Sequence, residues 1–232
     1  MPKIVWRKNS NLRNIAIIPA RGQSKRLLNK NILPLGDLPL LAHSIIYAKA
    51  NSNIIDDVYV TTDCAKVKKV ALKFGAKVID RPSELSGDYS TTVSALKHAM
   101  QFVGNVNTVI LLQPTNPLRP TNLLVEAYSR FQEINADSLF TVTENKHKLG
   151  KIVDGKFLPF NYEYGQRSQD LEMLYYENGL LYITKPELIN SDIILSKSAI
   201  PFIVNHIFAN VDIDVQEDAE YAEYLLQKFK NL

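Results

Sequence analysis

The order of elements along the chain predicts an α/β fold, a mostly parallel sheet with helices on both faces. Up to about residue 143, short β-branched runs alternate with stretches of helical spacing such as Leu41, Ile45 and Ala48. This alternation is typical of parallel strands joined by helices. The chain has 232 residues, of which 46% are hydrophobic and 22% charged, values of a globular protein that buries a large core. We expect one domain over residues 1–232.

Seven strands and five helices are predicted from runs of β-branched residues and from apolar spacing of three to four positions. The expected strands are residues 14–18, 57–62, 77–80, 108–112, 138–143, 180–184 and 211–214. The expected helices are residues 40–50, 65–74, 92–103, 121–133 and 217–229. We expect Gly75 to end the second helix, Thr91 or Thr92 to cap the third, and Thr121 to cap the fourth.

Residues 144–177 break this pattern, with charges, glycines and tyrosines but weak periodicity. The tyrosines in and just after the segment are Tyr162, Tyr164, Tyr175, Tyr176 and Tyr182. Tyrosine is favoured at interfaces because it buries area and keeps a polar tip. We interpret the segment as a hairpin or arm outside the main sheet. The alternative is a local β-meander whose tyrosines lie on its own sheet.

Composition and charge exclude several classes of protein. The 27 Lys and Arg residues against 24 Asp and Glu residues give a net charge of +3, which permits an anionic small-molecule substrate but is too weak to indicate nucleic-acid binding. The single cysteine, Cys64, excludes an intrachain disulfide framework and a cysteine-based zinc site. Apolar runs are far shorter than the roughly 20 residues that cross a bilayer, and residues 1–14 lack the apolar core of a secretion signal. We expect a cytoplasmic protein that binds neither nucleic acid nor membrane.

The loop after the first predicted strand has the strongest chemical signal. Four cations fall within ten residues, together with two small residues that keep the backbone accessible: Arg21, Lys25, Arg26 and Lys30, with Gly22 and Ser24. Ligands of open α/β sheets bind beyond the carboxyl ends of the strands, and such a loop suits a triphosphate. The spacing matches neither a P-loop nor the dinucleotide-binding glycine motif. The alternative is a solvated basic surface loop.

A second signal is Asp212-Ile-Asp214 near the end of the chain. Side chains two apart on a strand share one side, so the two carboxylates form a hard oxygen site that suits Mg²⁺ completed by substrate phosphates and water. The alternative is an exposed strand edge, or an acidic helix start together with Glu217 and Asp218. A cationic loop for phosphates and a carboxylate pair for their metal are together the equipment of phosphoryl or nucleotidyl transfer.

A third signal is the turn after the predicted strand 108–112. Pro114 and Pro117 stiffen the turn, and Gln113 stands at the carboxyl end of the strand. Because an amide both donates and accepts hydrogen bonds, Gln113 is suited to read a base or a sugar hydroxyl. The alternative is a purely structural turn.

Motifs in a specific order identify a resemblance. They are Ile15-Ala-Ile-Ile-Pro-Ala-Arg-Gly-Gln-Ser-Lys-Arg26 with Lys30-Asn31, Thr61-Thr-Asp63, Arg81-Pro-Ser-Glu-Leu85, Leu111-Leu-Gln-Pro-Thr-Asn-Pro-Leu-Arg119, Asn178-Gly179 and Asp212-Ile-Asp214. Over about residues 14–230 the sequence resembles the acylneuraminate cytidylyltransferases, or CMP-sialic acid synthetases. The resemblance implies a Rossmann-like nucleotidyltransferase domain, with residues 144–177 as a dimerisation arm of a homodimer. It also implies that CTP and a nine-carbon 2-keto sugar acid give the CMP-sugar and pyrophosphate, with Mg²⁺.

The resemblance also assigns roles to individual residues. The implied nucleotide site is Ala20, Arg21, Ser24, Lys25, Lys30, Asn31, Arg81, Thr92 and Gln113. The implied acid-substrate site is Gln113, Lys151, Arg167 and Tyr182, and the implied metal ligands are Asp212 and Asp214. Arg21, Lys25 and Asp214 are the expected catalytic residues. No histidine stands in a convincing motif, and His43 and His98 are expected to be structural.

The acceptor sugar is less defined by the sequence. Some bacterial members carry an arginine before the Asn-Gly pair, where this chain has Tyr175-Tyr-Glu177. This difference points to a different acyl sugar, such as legionaminic acid, in place of N-acetylneuraminate. The expected acceptor is therefore N-acylneuraminate or legionaminate. The alternatives are a CMP-Kdo synthetase, a sugar-1-phosphate nucleotidyltransferase, or a nucleotide-binding module without turnover. The catalytic reading requires Arg21 and Asp214 to border one cleft.

Overall fold

A computed structural model of the chain describes residues 12–229. Within that range there are eleven strands and six α-helices. The strands are β1 (Arg13–Pro19), β2 (Pro34–Leu35), β3 (Leu38–Pro39), β4 (Asp57–Thr62), β5 (Lys77–Asp80), β6 (Val106–Leu111), β7 (Ser138–Asn145), β8 (Gly150–Val153), β9 (Lys156–Pro159), β10 (Leu174–Thr184) and β11 (Ile200–Ile203). The helices are α1 (Leu40–Ala50), α2 (Ala65–Lys73), α3 (Thr92–Met100), α4 (Leu123–Glu133), α5 (Pro186–Asn190) and α6 (Gln216–Lys228).

Seven strands form the main sheet, in the order β11-β7-β10-β6-β1-β4-β5. The β1–β4, β1–β6, β4–β5 and β7–β11 pairs are parallel. β10 runs antiparallel between β6 and β7. The chain builds outward from β1 through β4 to β5 and then crosses to β6 on the other side of β1. Ligands of such sheets bind at the carboxyl ends beside this crossover.

Strand β1 shows why helices cover both faces of the sheet. Its alternating side chains enter two different clusters, Ala16 and Ile18 in one and Ile15 and Ile17 in the other, and all four are fully buried. Helices α1, α2 and α4 contribute to the first cluster, and α3 and α5 to the second. The predicted mostly parallel sheet with helices on both faces is confirmed.

Several predicted elements match closely. The helix predicted over residues 40–50 and the strands predicted over residues 57–62 and 77–80 have the predicted bounds. The Thr91 side chain caps α3 by accepting a hydrogen bond from the Ser94 amide at 3.2 Å. The prediction that Thr121 caps the next helix is wrong. Helix α4 begins at Leu123, and the Leu124 amide donates at 2.9 Å to the hydroxyl of Tyr47 on α1, so a tertiary contact replaces the local cap.

The strand predicted over residues 211–214 is also wrong. The segment joins no sheet, because its backbone bonds to a turn instead of a strand. The Ile213 amide donates to the Thr115 carbonyl at 2.8 Å, and the Asn116 side-chain amide donates to the Val211 carbonyl at 2.8 Å. Ile213 is buried with α6 and the β2–β3 hairpin in a third apolar cluster. The edge strand β11 and the short helix α5 were not predicted.

The segment 144–177 combines two kinds of structure. Its ends belong to the main sheet, because β7 continues to Asn145 and β10 begins at Leu174, six residues before the predicted strand. Between them, β8 and β9 form a separate antiparallel hairpin. We call residues 146–173 the arm. No helix within residues 12–229 is long and apolar enough to cross a membrane. The predictions for residues 1–11 lie outside the described residues.

Candidate active site

A cleft lies beside the crossover, at the carboxyl ends of β1 and β6. Many of the residues that the sequence singled out line this cleft. Its walls are Pro19, Arg21, Lys30, Asn31, Arg81, Leu85, Asp88, Ser90, Thr91, Thr92, Gln113, Pro114 and Thr115. The wall is therefore rich in cations and in hydrogen-bonding side chains, which suits an anionic ligand.

Main-chain hydrogen bonds hold the basic loop at the edge of the cleft. The Ala20 amide donates to the Thr61 carbonyl at 3.0 Å. The Gly22 amide donates to Asp63 at 2.8 Å, and the Asn31 side chain donates to the Arg21 carbonyl at 2.7 Å. These bonds fix the backbone on both sides of the Arg21 side chain.

Glycine is required at position 22 because the backbone there lies close to the Cys64 side chain. A Cβ at this position would lie 2.5 Å from the Cβ of Cys64. Any larger residue would therefore push the basic loop away from the end of β4 and displace the side chains that border the cleft.

The basic loop and the acidic end of the chain meet at Asp214. Lys30 lines the cleft, and its ammonium lies 2.9 Å from one Asp214 oxygen, while the Arg26 guanidinium lies 2.7 Å from the other. Desolvation opposes ionisation of Asp214, but hydrogen bonds and charges from Lys30 and Arg26 outweigh it and lower the pKa of the carboxyl. Arg21 and Lys30 line the cleft. Asp214 is not among the lining residues and is connected to the cleft through its ion pair with Lys30.

Asp212 has a different environment from Asp214. It is exposed to solvent and has a hydrogen bond to the Thr115 side chain. Desolvation by the surrounding protein, joined by the negative charge of Asp214, raises the pKa of its carboxyl against the opposing effect of Thr115. The Asp218 carboxylate accepts from the amides of Asp214 and Val215 at 2.8 and 3.0 Å and so holds the pair at the start of α6. Within residues 12–229, no cluster of three or more His, Cys, Asp or Glu side chains is arranged for a metal.

Arg81 is the most informative residue of the cleft wall. It is only 8% exposed, yet its Nε and Nη2 atoms have no hydrogen-bond partner among the described residues. Burial, reinforced by the nearby charge of Arg21, lowers the pKa of the guanidinium, and Asp63 opposes this shift. Buried donors without partners are unfavourable. Arg81 also lines the cleft, which makes it a candidate ligand-binding residue.

Lys25 and Arg21 share an anionic partner on the opposite rim. The Lys25 ammonium lies 2.5 Å from Asp88, and Arg21 Nη1 lies 3.7 Å from the same carboxylate. Lys25 itself does not line the cleft but pairs with Asp88, which does. Ala20 and Ser24 do not line the cleft, and Ala20 is fully buried.

The predicted acid-substrate residues divide into two groups. Gln113 lines the cleft and donates to the Tyr182 hydroxyl at 3.3 Å, and that hydroxyl donates to Glu177. Burial, followed by the hydrogen bond and charge of Glu177, raises the pKa of Tyr182. Lys151 lies on β8, and Arg167 pairs with Asp170 at 2.7 Å. Both belong to the arm and neither lines the cleft.

The chain is similar to known cytidylyltransferases along most of its length. The family model described as cytidylyltransferase matches residues 15–231. The chain belongs to this family. The pseudaminic acid cytidylyltransferase of Campylobacter jejuni is 33% identical over 225 residues, which cover 92% of this chain and 96% of the relative. The N-acylneuraminate cytidylyltransferase of Escherichia coli is 31% identical over 220 residues, which cover 92% of this chain and 52% of the relative.

Solved structures agree on the fold. A CMP:2-keto-3-deoxy-manno-octonic acid synthetase complexed with CTP is similar with a TM-score of 0.71 at 17% identity, covering 93% of this chain and 99% of that one. A 4-diphosphocytidyl-2C-methyl-D-erythritol synthase has a TM-score of 0.65 at 16% identity, covering 93% and 98%. The expected Rossmann-like nucleotidyltransferase fold is confirmed.

Four residues that support the site of this family member were not predicted to have a role. Asp63 and Asp88 hold the basic loop, as described above. Asn116 donates to the Asn178 carbonyl at 3.0 Å, and a Cβ at Gly179, where φ is +75°, would lie 2.6 Å from the Asn116 side chain.

Arg119 is the fourth residue that supports the site without having been predicted. It is 7% exposed and donates to the carbonyls of Leu180 and Gln113 at 2.7 and 2.8 Å. Burial lowers its pKa to about 10. Asp63, Asn116 and Arg119 stand in the motifs quoted above, whereas nothing in the sequence marked Asp88.

Proposed function

We propose that this family member transfers CMP from CTP to the anomeric hydroxyl of a nonulosonic acid and releases pyrophosphate. The observation that supports this most is the Lys30–Asp214 ion pair, which joins the cationic loop to the carboxylate pair at 2.9 Å. It joins the loop proposed for the phosphates to the carboxylate pair proposed for the metal, across 184 residues of sequence. The names of the relatives agree with this activity.

The nucleotide side of the cleft supports recognition of CTP. Arg21, Lys25 and Lys30 supply positive charge for the triphosphate and for the departing pyrophosphate. Arg81 supplies unpartnered donors, and the carbonyl oxygen and ring nitrogen of cytosine are both acceptors. Uracil carries an N–H at that ring nitrogen, so a buried guanidinium distinguishes the two bases.

The donor chemistry at Asp212 and Asp214 fits Mg²⁺. The ion commonly takes one or two carboxylates and completes its coordination with phosphate oxygens and water. Asp212 is exposed, so its carboxylate is open to a ligand. When bound there, Mg²⁺ supplies neutralisation of charge on the reacting phosphates.

The chemical step is a displacement at the α-phosphorus of CTP. The anomeric oxygen forms a bond to phosphorus, the bond to the pyrophosphate oxygen breaks in line, and the hydroxyl proton is released. Catalysis comes from positioning and charge neutralisation. His43 bonds to the Leu35 carbonyl at 2.9 Å, and His98 packs on Phe102 with ring centroids 5.0 Å apart, so neither acts as the base.

We also propose that the enzyme acts as a homodimer through the arm, in the cytoplasm where CTP is made. The arm exposes Ile152 by 78% and Phe160 by 66%, and large exposed apolar side chains grouped in one region favour a partner. Lys151 and Arg167 would then meet the acceptor in the cleft of the second copy. Gln113 and Tyr182 would meet it from within the chain.

Pyrophosphate release from each of the four nucleoside triphosphates tests the function. The acceptors are N-acetylneuraminate, legionaminate, pseudaminate, Kdo, and none, all with Mg²⁺. Among the four nucleotides, we expect release only with CTP. Among the acceptors, we expect a nine-carbon acid to be preferred to the eight-carbon Kdo. Preference for Kdo would make the chain a CMP-Kdo synthetase. Absence of release with every acceptor, while CTP still binds, would indicate a nucleotide-binding module without turnover.

A further inference from the structure

Asp88 is the anionic partner of two cations, Arg21 and Lys25, that the proposed function assigns to the triphosphate. Its carboxylate lies 2.5 Å from Lys25 and 3.7 Å from Arg21, and Arg21 also donates to the Gly87 carbonyl at 2.9 Å. Asp88 lines the same cleft as Lys30 and Arg81. An anionic side chain thus stands inside a site whose proposed ligand is itself strongly anionic.

The ion pairs of Asp88 with Lys25 and Arg21 are weak enough for another anion to replace Asp88. The side chains of Lys25, Asp88 and Arg21 are 79%, 44% and 38% exposed, and ion pairs exposed to water contribute little to stability. The hydrogen bond and charge of Lys25 lower the pKa of Asp88, so the carboxylate is ionised at neutral pH. Arg81, by contrast, keeps its donors unpartnered, which separates base recognition from phosphate recognition.

We propose that Asp88 is a specificity-determining residue that acts as an internal counter-anion, holding Arg21 and Lys25 until a more highly charged phosphate chain replaces it. The proposal rests on the proposed function of the cleft. A triphosphate brings several charges to the cations and replaces one carboxylate favourably. A sugar carboxylate or inorganic phosphate brings fewer charges and gains little from the exchange, so Asp88 weakens the binding of these small anions at the phosphate site.

Equilibrium binding without acceptor is the direct test. Titration calorimetry measures binding of CTP, pyrophosphate and inorganic phosphate to the wild-type protein and to the Asp88→Asn, Asp88→Glu and Asp192→Asn variants. Asp192 is the matched control, because it is an exposed carboxylate paired with Lys97 at 2.6 Å. A thermal melt shows that each variant is folded.

We expect Asp88→Asn to bind pyrophosphate and inorganic phosphate about two- to fivefold more tightly, the size of one exposed ion pair. The gain should shrink as salt is raised from 0.05 to 0.5 M, because exposed charges are screened. Asp88→Glu and Asp192→Asn should behave as wild type. In turnover, Asp88→Asn should lower the KM for CTP and leave kcat unchanged.

Unchanged or weaker anion binding by folded Asp88→Asn would overturn the proposal. A loss of kcat at unchanged KM would also overturn it, since it would place Asp88 in the chemical step. Because the binding measurement needs no acceptor, it is independent of whether a nonulosonic acid is turned over. A failure of the proposed function and a failure of this proposal are therefore distinguishable.

Discussion

The nucleotide side and the acceptor side of the cleft are assembled in different ways. On the proposed nucleotide side, Arg21 and Lys30 are held by hydrogen bonds and an ion pair within the chain, and Arg81 lines the cleft with two buried donors, Nε and Nη2, that have no hydrogen-bond partner within residues 12–229. On the acceptor side, Gln113 reaches Tyr182, but Lys151 and Arg167 stand on the arm away from the cleft.

The difference separates two kinds of specificity. The residues proposed for the base and phosphates lie at the ends of strands in the main sheet, where the backbone is fixed by neighbouring strands. Two of the residues proposed for the acid lie on a hairpin outside that sheet, with exposed apolar side chains. Under the proposed function we therefore expect one chain to suffice for binding CTP, and acceptor choice to require a second copy.

The largest effect is expected at the junction of the two sides. Asp214→Asn removes a carboxylate that pairs with Lys30 and Arg26. We expect pyrophosphate release at saturating Mg²⁺ to fall by about 100-fold or more, the size of a lost electrostatic contact in a transition state. Asp137→Asn is the control, because Asp137 pairs with Lys185 at 2.8 Å outside the cleft. Near-normal turnover of Asp214→Asn would remove Asp214 from the mechanism.

The second prediction tests whether Arg81 recognises the base on the nucleotide side. Arg81→Met should raise the KM for CTP by about 10- to 100-fold, because a hydrogen bond to a charged group contributes roughly 1.5–3 kcal/mol. It should also reduce the preference for CTP over UTP. The melting temperature should stay the same or rise, because the variant removes a buried charge whose Nε and Nη2 atoms have no hydrogen-bond partner in the described part of the chain. Arg130→Met, which removes an exposed arginine paired with Glu133, should change neither KM nor base preference. A drop in melting temperature with unchanged KM would make Arg81 structural.

The third prediction tests the acceptor side through the arm. Ile152→Asp places a charge on an exposed apolar position and should shift the protein from dimer to monomer in light scattering at micromolar concentration. The KM for the acid should rise severalfold, while CTP binding should not change. Leu72→Asp on α2, 55% exposed, should leave the mass unchanged. A monomeric wild-type protein would end the dimer proposal.

The smallest effect is expected outside both sides, at Asp57. This carboxylate accepts from Lys77 at 2.6 Å and pairs with Arg13 at 2.5 Å. Burial would raise its pKa, but these two cations outweigh burial and lower the pKa below the ordinary value of 3.8. Its stabilisation is therefore present above pH 3.8 and lost as the pH falls through the lowered pKa.

Denaturant unfolding measures this effect. Asp57→Asn should lower the free energy of unfolding by about 1 kcal/mol at pH 7, and the difference from wild type should close in acid. Turnover should not change. A difference in the free energy of unfolding that persists below pH 2 would contradict this assignment of Asp57 to stability alone. Loss of activity by a fully folded Asp57→Asn variant would also contradict it.

The parts of the fold that the sequence predicted are those determined by local patterns. Helix α1 and strand β4 have the predicted bounds because apolar spacing and β-branched runs report directly which side of an element is buried. The segment 211–214 has the same alternation, with Ile213 buried and Asp212 exposed, yet it is not a strand. Its hydrogen-bond partners lie in a turn about 100 residues earlier, and no local pattern predicts them.

The site shows the same division. Motifs placed Arg21, Lys30, Arg81 and Gln113 in one site, and the structure brings them to one cleft. Only tertiary structure paired Lys30 with Asp214, placed Asp88 against Lys25, and buried the Nε and Nη2 atoms of Arg81 without hydrogen-bond partners among the residues that the structure describes. By itself the sequence determined the order of strands and helices and the kinds of charge available, because both are properties of neighbouring residues. Which charges meet was decided by the folded chain, because an ion pair depends on distance in space.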